Sequence, residues 1–293
     1  MPFRGSDRQL SDLSERLLCL QTGPQDWVTV VDNGPGALTA RRASAGIAVV
    51  AAAERPGSYR ARNRGAHAGR AQWLLFLDAD VDWPSDLIAH YFEPAPRAGT
   101  AVLAGGVLDE APATGAPLSV RYAWLKGSMG HGSTLGHGRW AFAQTANCVV
   151  RRAAFEAVGG FVDDVRSGGD ADLCFRLAEA GWGMEARLQA AVVHRNRATL
   201  GQLARQLARH GSGAAWLTRR HPGCLPRRHW PGLAWWSLRR AAAGVGAAVG
   251  GRGDEALVGL LDGPAVWAFE LGRLAPNRIA TARGWGREDD QAR

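Results

Sequence analysis

Trp73-Leu74-Leu75-Phe76-Leu77-Asp78-Ala79-Asp80 runs from five consecutive apolar residues into two carboxylates one residue apart. A short apolar run that stops at polar residues is how a strand buried on both faces reads. Ligands of open α/β sheets bind beyond the carboxyl ends of the strands, so acids at that end are placed for chemistry. Asp also begins turns and caps helices. The stretch alone leaves that structural reading open, and the neighbouring segments have to decide.

Upstream, Trp27-Val28-Thr29-Val30-Val31 is a second apolar run, and it stops at Asp32-Asn33-Gly34-Pro35-Gly36. Ile47 to Ala51 reads as a third short strand, and Gly57 to Gly65 opens a helix with Ser58 as its N-cap. Nearer the start, Ser6 or Asp7 caps a helix whose Leu10, Leu13, Leu17 and Leu20 share one face. Pro2-Phe3-Arg4-Gly5 looks like the loop that follows a strand, yet no strand precedes it. Helix, strand, strand, helix, strand is the alternation of a mostly parallel, doubly wound α/β sheet, here with its first strand missing or truncated.

Downstream, Ser85 to Phe92 reads as a helix and Thr100 to Val107 as a strand. Pro117 to Gly138, rich in Gly and carrying His131 and His137 around Ser133 and Thr134, reads as a mobile loop over a site. Neither histidine is given a role. Ala143 to Arg152 leads into a helix ending near Val158, followed by Gly159-Gly160-Phe161. Leu173, Leu177 and Ala180 then recur at helical spacing, which places Asp170 and Asp172 in a first turn, where the helix dipole favours acids for structural reasons alone. Ala190-Ala191-Val192-Val193 stops at His194, so a histidine stands at another strand end.

Composition bounds the rest. With 293 residues, 46% hydrophobic and 21% charged, the chain can bury one large α/β core plus an appendage. Cys19, Cys148, Cys174 and Cys224 show no metal spacing and read as reduced cytosolic thiols. The net charge is +8, and between Arg195 and Arg252 there are eleven arginines and no acid, interleaved with Trp216, Trp230, Trp235 and Trp236. Such a bias predicts a basic face for something anionic: a membrane surface, a phosphorylated acceptor or a nucleic acid. Met1 to Gln21 lacks the apolar core of a signal peptide. Leu233 to Gly250, the longest candidate for a membrane span, is broken by Arg239 and Arg240. The expected location is cytoplasmic, or peripheral on the inner face of the membrane.

Gly34-Pro35-Gly36 lacks the third glycine of a dinucleotide fingerprint, and no phosphate-binding G-x-x-x-x-G-K-[ST] loop is present. Strand-end carboxylates cannot hold a diphosphate directly. They need a divalent cation between, Mg²⁺ or Mn²⁺.

The ordered series V-V-D-N-G, P-G-S-Y-x-A-R-N-x-G, F-L-D-A-D, T-A-N-x-x-x-R-R, G-G-F, G-G-D-A-D-L-C-x-R-L and V-x-H resembles glycosyltransferase family 2 over roughly residues 1–210. The resemblance implies a GT-A fold, and a domain organisation of 1–200 as the glycosyltransferase domain, 201–280 as a basic helical appendage and 281–293 as a disordered tail. It implies inverting, metal-dependent transfer of a sugar from a nucleotide-diphosphate sugar to a lipid-linked, polysaccharide or small-molecule acceptor of cell-envelope type. By the same resemblance Asp32 contacts the nucleotide base, and Arg62 and Asn63 line the nucleotide pocket with Asp78. Asp80, with Asp78 and His194, holds the metal. Asp170 is the general base, with Asp172 in reserve, because Gly169 stands where the family often has Glu. Gln206-Leu207-Ala208-Arg209-His210 is similar to the Q-x-x-R-W motif of processive members, which puts Gln206, Arg209 and, more distantly, Asn147 on the acceptor or diphosphate side.

Two other classes compete. A sugar-phosphate nucleotidyltransferase needs a Gly-rich, Arg-containing loop after its first strand, and Arg4-Gly5-Ser6-Asp7 is too short and acidic for one. A nucleic-acid-binding protein would use the basic C-terminal third, but it leaves the strand-end acids without a purpose.

Overall fold

The computed structural model describes residues 1–34, 46–52, 56–130, 132, 134–226 and 229–279. Pro35, Gly36, His131, Ser133 and the expected tail at 281–293 lie outside the described residues. Among the described residues the chain forms a three-stranded parallel sheet and a five-stranded mixed sheet with helices packed around them.

The parallel sheet contains β1 (Pro2–Phe3), β2 (Val28–Asp32) and β3 (Ile47–Ala51) in that order. Pro2-Phe3, expected as part of a loop, is itself the first strand, so that strand is short and not missing. Pro2 and Phe3 form a two-residue strand in register with Val31 and Asp32. Helix α1 (Asp7–Leu18) covers this sheet. Its cap is Ser6, whose hydroxyl accepts from Gln9 N–H at 3.3 Å while the Gln9 side chain accepts from Ser6 N–H at 2.8 Å. Leu10, Leu13 and Leu17 pack with Phe3, Val30, Ile47 and Val49 to make one core.

The second sheet runs β4 (Trp73–Leu77), β7 (Asn147–Arg151), β6 (Thr100–Asp109), β8 (Gly183–His194), β5 (Val81–Asp82). β6 pairs with β8 in parallel, whereas β7 pairs antiparallel to both β4 and β6. The mostly parallel expectation therefore holds for the first sheet, while the second is mixed. Helices α2 (Ser58–His67), α3 (Leu87–Phe92), α5 (Arg152–Ala157) and α6 (Gly169–Glu179) complete the α/β part. Gly57, not Ser58, occupies the cap position of α2.

Pro117 to Gly138 is only partly loop. Leu118–Lys126 is a helix, α4, which ends at Gly127 in the left-handed conformation. Helices α7 (Leu200–Arg220), α8 (Trp230–Val249) and α9 (Gly253–Gly272) follow. They pack with their backbones almost touching. A Cβ on Gly211 of α7 would lie 1.9 Å from the Phe269 carbonyl oxygen of α9, and one on Gly272 would lie 2.0 Å from that of Ala208. A buried acid, Asp262, ties α9 to α4 and α8, taking Tyr122 Oη at 3.0 Å, Lys126 Nζ at 3.1 Å and Arg240 Nη2 at 2.7 Å. No helix among the described residues is long and apolar enough to cross a membrane.

Candidate active site

Three elements converge on one cavity of about 1310 Å³: the turn after β4, the first turn of α6 and the inner face of α7. The apolar strand β4 is buried in the sheet, so the two acids after it emerge at its carboxyl end, as open α/β sheets require. Arg62, itself buried, reaches from α2 and donates to Asp78. Asp80 lies 3.8 Å from Nε2 of His194, the last residue of β8, and accepts from Arg197 Nη2 at 3.3 Å. The other ring nitrogen of His194, Nδ1, is buried and has no hydrogen-bond partner among the described residues.

Asp170 stands in the first turn of α6, half-buried, and lines the same cavity. Its Oδ1 accepts from the backbone N–H of Ala171 at 3.0 Å and from the Tyr59 hydroxyl at 3.3 Å. Burial pushes its carboxyl above the usual range, and the Ala171 N–H, the Arg62 charge and the Tyr59 hydrogen bond oppose that push. The result is a carboxylate made more basic than one in water, the property a general base needs. Arg166, Arg197 and Arg209 also line the cavity. Loss of bulk water and the neighbouring Arg197 hold the Arg209 guanidinium below its ordinary value. Partial loss of water inside the cavity, then the charges of Arg209, Arg197 and His194, push the His210 imidazole down to about 4, although the residue keeps solvent access.

A family profile described as "Glycosyltransferase like family 2" matches residues 36–213, more than half of the chain. The chain belongs to that family. Two curated relatives, both named pre-mycofactocin glycosyltransferase and from two strains of Mycobacterium tuberculosis, are 33% identical over 170 residues, which is 55% of this chain and 35% of each relative. The chain thus spans about a third of the length of the relatives it matches. Among solved structures, a mannosyltransferase from Pyrobaculum calidifontis, in complex with GDP-Man and Mn²⁺, superposes with a TM-score of 0.60 at 15% identity, over 93% of this chain and 85% of the other. That likeness shows the GT-A fold.

In this family 2 chain the cavity gathers Arg62, Asp78, Asp80, Asp170, His194, Gln206 and Arg209, all named from sequence. Four other expected residues are engaged elsewhere. Asp32 accepts from Gly34 N–H at 2.9 Å, and it is its neighbour Asn33 that lines the cavity. Asn63 fixes the Gly-Gly-Phe loop, donating to Phe161 O at 2.8 Å and Asp163 Oδ1 at 2.6 Å. Asn147 is fully buried and bridges strands, donating to Gly106 O at 2.8 Å and Ala190 O at 2.7 Å. Asp172 is likewise inaccessible, held by Arg176 at 2.8 Å, His221 at 2.9 Å and Arg220. A carboxylate so enclosed has no path to a substrate proton, so the expectation of Asp172 as reserve base is corrected to a structural role.

The basic stretch also changes meaning. Arg195, Arg197, Arg220, Arg240 and Arg252 pair with Asp82, Asp80, Asp172, Asp262 and Glu255, acids that all lie outside the stretch. Gln206, Leu207, Arg209, His210, Ala214 and Leu217, in the stretch expected as the appendage, line the cavity. Sequence reasoning missed Tyr59, Arg166 and Arg197 as site residues. For Arg197 a signal existed, three residues past the strand-end histidine, and for Arg166 none did.

Whether a divalent cation fits can be asked of the donor atoms. Among the described residues no three His, Cys, Asp or Glu cluster as a complete metal site. Asp80 and His194 nonetheless offer an oxygen and a ring nitrogen 3.8 Å apart, close enough to share one ion whose other ligands come from a diphosphate. The residues therefore fit a cation that arrives with its anionic substrate.

Proposed function

We propose that this chain transfers a glycosyl group from a nucleoside-diphosphate sugar to an acceptor hydroxyl, with inversion and with Asp170 as the base. The observation that carries the reading is that three acids share one arginine-lined cavity: Asp78 and Asp80 at a strand end, Asp170 at a helix start. Asp80 and His194 would hold Mg²⁺ or Mn²⁺, which supplies positive charge to the leaving diphosphate. The Mn²⁺ present with GDP-Man in the Pyrobaculum mannosyltransferase agrees with this.

The chain's own residues do the rest. Asp78, fixed by Arg62, and Asn33 orient the nucleoside. Arg166, Arg197 and Arg209 neutralise the diphosphate as the anomeric carbon–oxygen bond breaks. Asp170 accepts the proton of the acceptor hydroxyl while the new glycosidic bond forms on the opposite face of the sugar, which inverts the anomeric centre. The acceptor is lipid-linked, a polysaccharide or a small molecule. An anionic membrane as a docking surface draws support from α8, whose outward face carries exposed Trp235, Leu238, Val245 and Val249 beside Arg239.

Thermal shift against a panel of nucleoside diphosphates, with and without Mn²⁺, tests the donor half. Stabilisation that needs the metal in wild type and is lost in Asp80→Asn supports the reading; metal-independent binding in both overturns it. Turnover tests the base: Asp170→Asn should lose about two to four orders of magnitude with donor binding retained.

A further inference from the structure

Gly169 opens α6 without a side chain, and a tyrosine fills the space beside it. A Cβ on Gly169 would lie 2.8 Å from both Cε2 and Cζ of Tyr59 and 2.9 Å from its Cδ2. The ring has little room to yield. Tyr59 is buried, its ring centroid is 5.4 Å from that of Phe161, and the Arg62 guanidinium stands 5.4 Å from the ring. Its hydroxyl, in turn, donates to Asp170 Oδ1 at 3.3 Å.

We infer that Tyr59 is the positioning residue of the base: it takes the volume of the side chain absent at position 169 and, through its phenolic O–H, engages Oδ1 of Asp170 so that Oδ2 is left for the acceptor's proton. The inference rests on the reading of Asp170 as base. Two helices cooperate in it, with α2 supplying the orienting donor and α6 the carboxylate. Burial and the nearby Asp170 charge push the Tyr59 hydroxyl well above its ordinary pKa, so it remains a donor at any working pH. A donor to the ionised carboxylate favours that ionised form. Tyr59 therefore offsets part of the upward push that burial exerts on Asp170.

Tyr59→Phe removes the O–H and keeps the ring. In this variant the acid limb of the kcat/KM profile should move up by about one pH unit, a roughly tenfold loss below the limb that disappears at higher pH, with donor KM and Tm close to wild type. A purely structural tyrosine would instead lower activity evenly across pH or lower Tm. An acid limb that stays in place in folded Tyr59→Phe overturns the inference. The packing half is tested by Gly169→Ala, expected to lower Tm in the wild-type background and to be tolerated with Tyr59→Ala; a neutral Gly169→Ala in wild type would count against it. Asp170→Asn separates the two levels. If that variant keeps its activity, the base reading itself fails; if it is inactive while the Tyr59→Phe profile is unmoved, only the role of Tyr59 fails.

Discussion

Replacing Gly211 with Ala should destabilise the chain although alanine is the better helix former. Gly211 lies within α7, and the added Cβ would stand 1.9 Å from the Phe269 carbonyl oxygen, 2.9 Å from its carbon and 3.1 Å from Arg273 N. All three are backbone atoms, so no rotamer change relieves the clash and the helices must separate. Overpacking of this kind costs about 1–3 kcal/mol, and a backbone obstacle puts it at the upper end. Helix propensity returns about 1 kcal/mol. The net loss is about 2 kcal/mol, or roughly 4–8 °C in Tm for a chain of this size. Gly246→Ala is the control. It makes the same chemical change within α8, where a Cβ meets nothing within 4 Å, and it should raise Tm by about 2–4 °C. Thermal unfolding followed by circular dichroism measures both. Because α7 carries Gln206 and Arg209 into the cavity, Gly211→Ala should also weaken stabilisation by nucleoside diphosphates. A Gly211→Ala protein as stable as Gly246→Ala would refute the close approach of α7 and α9.

Asp172→Asn leaves Arg176 and Arg220 without their buried partner and should cost about 3–5 kcal/mol, read as a large drop in Tm, where Asp170→Asn leaves Tm nearly unchanged; equal effects of the two would erase the distinction between them. His210 gives a pH signature: its folded pKa of about 4 lies below the unfolded 6.5, so the unfolded chain binds the proton first, and stability that is complete above pH 6.5 falls as pH drops toward 4. Because the ring reaches cavity water, the loss should be well under the ~3 kcal/mol of a fully dehydrated imidazole, and it should vanish in His210→Gln denatured over the same range. Flotation with vesicles tests the outward face of α8: binding should rise with anionic lipid, fall with salt and shift tryptophan emission to the blue, and protein left wholly in the soluble fraction removes the membrane from the account.

β2, β4 and the last part of β8 were legible because each is an apolar run that stops at a polar residue, a pattern local enough to see in a short window, whereas the two-residue β1 and β5 are too short to show it and Glu185, Arg187 and Gln189 hide the first part of β8. The same locality explains the acids after β4 and the histidine after β8. Helix α4 escaped because its burial does not follow its hydrophobicity: Leu118 and Trp124 are exposed while Ser119 is buried. Asp170 and Asp172 could not be separated by eye, since residues two apart on a helix face different ways and only packing says which way is inward. The arginines misled for the opposite reason. Arg195 finds Asp82 and Arg220 finds Asp172 from far along the chain, so a window drawn around the arginines sees charge without its partner.

The clamp on Asp172 also bears on where this chain could be cut. A protein ending at residue 200 would keep the α6 carboxylate and Arg176 but lose Arg220 and His221, leaving a buried anion with half its neutralisation. The last turn of α7 is thus part of what lets the helix bearing Asp170 form at all, and α7 is in turn seated on α9 through Gly211 and Gly272. In hydrogen-exchange terms, the amides of α6 and α7 should open together as one cooperative unit, and a fragment ending before residue 272 should show weakened protection in both.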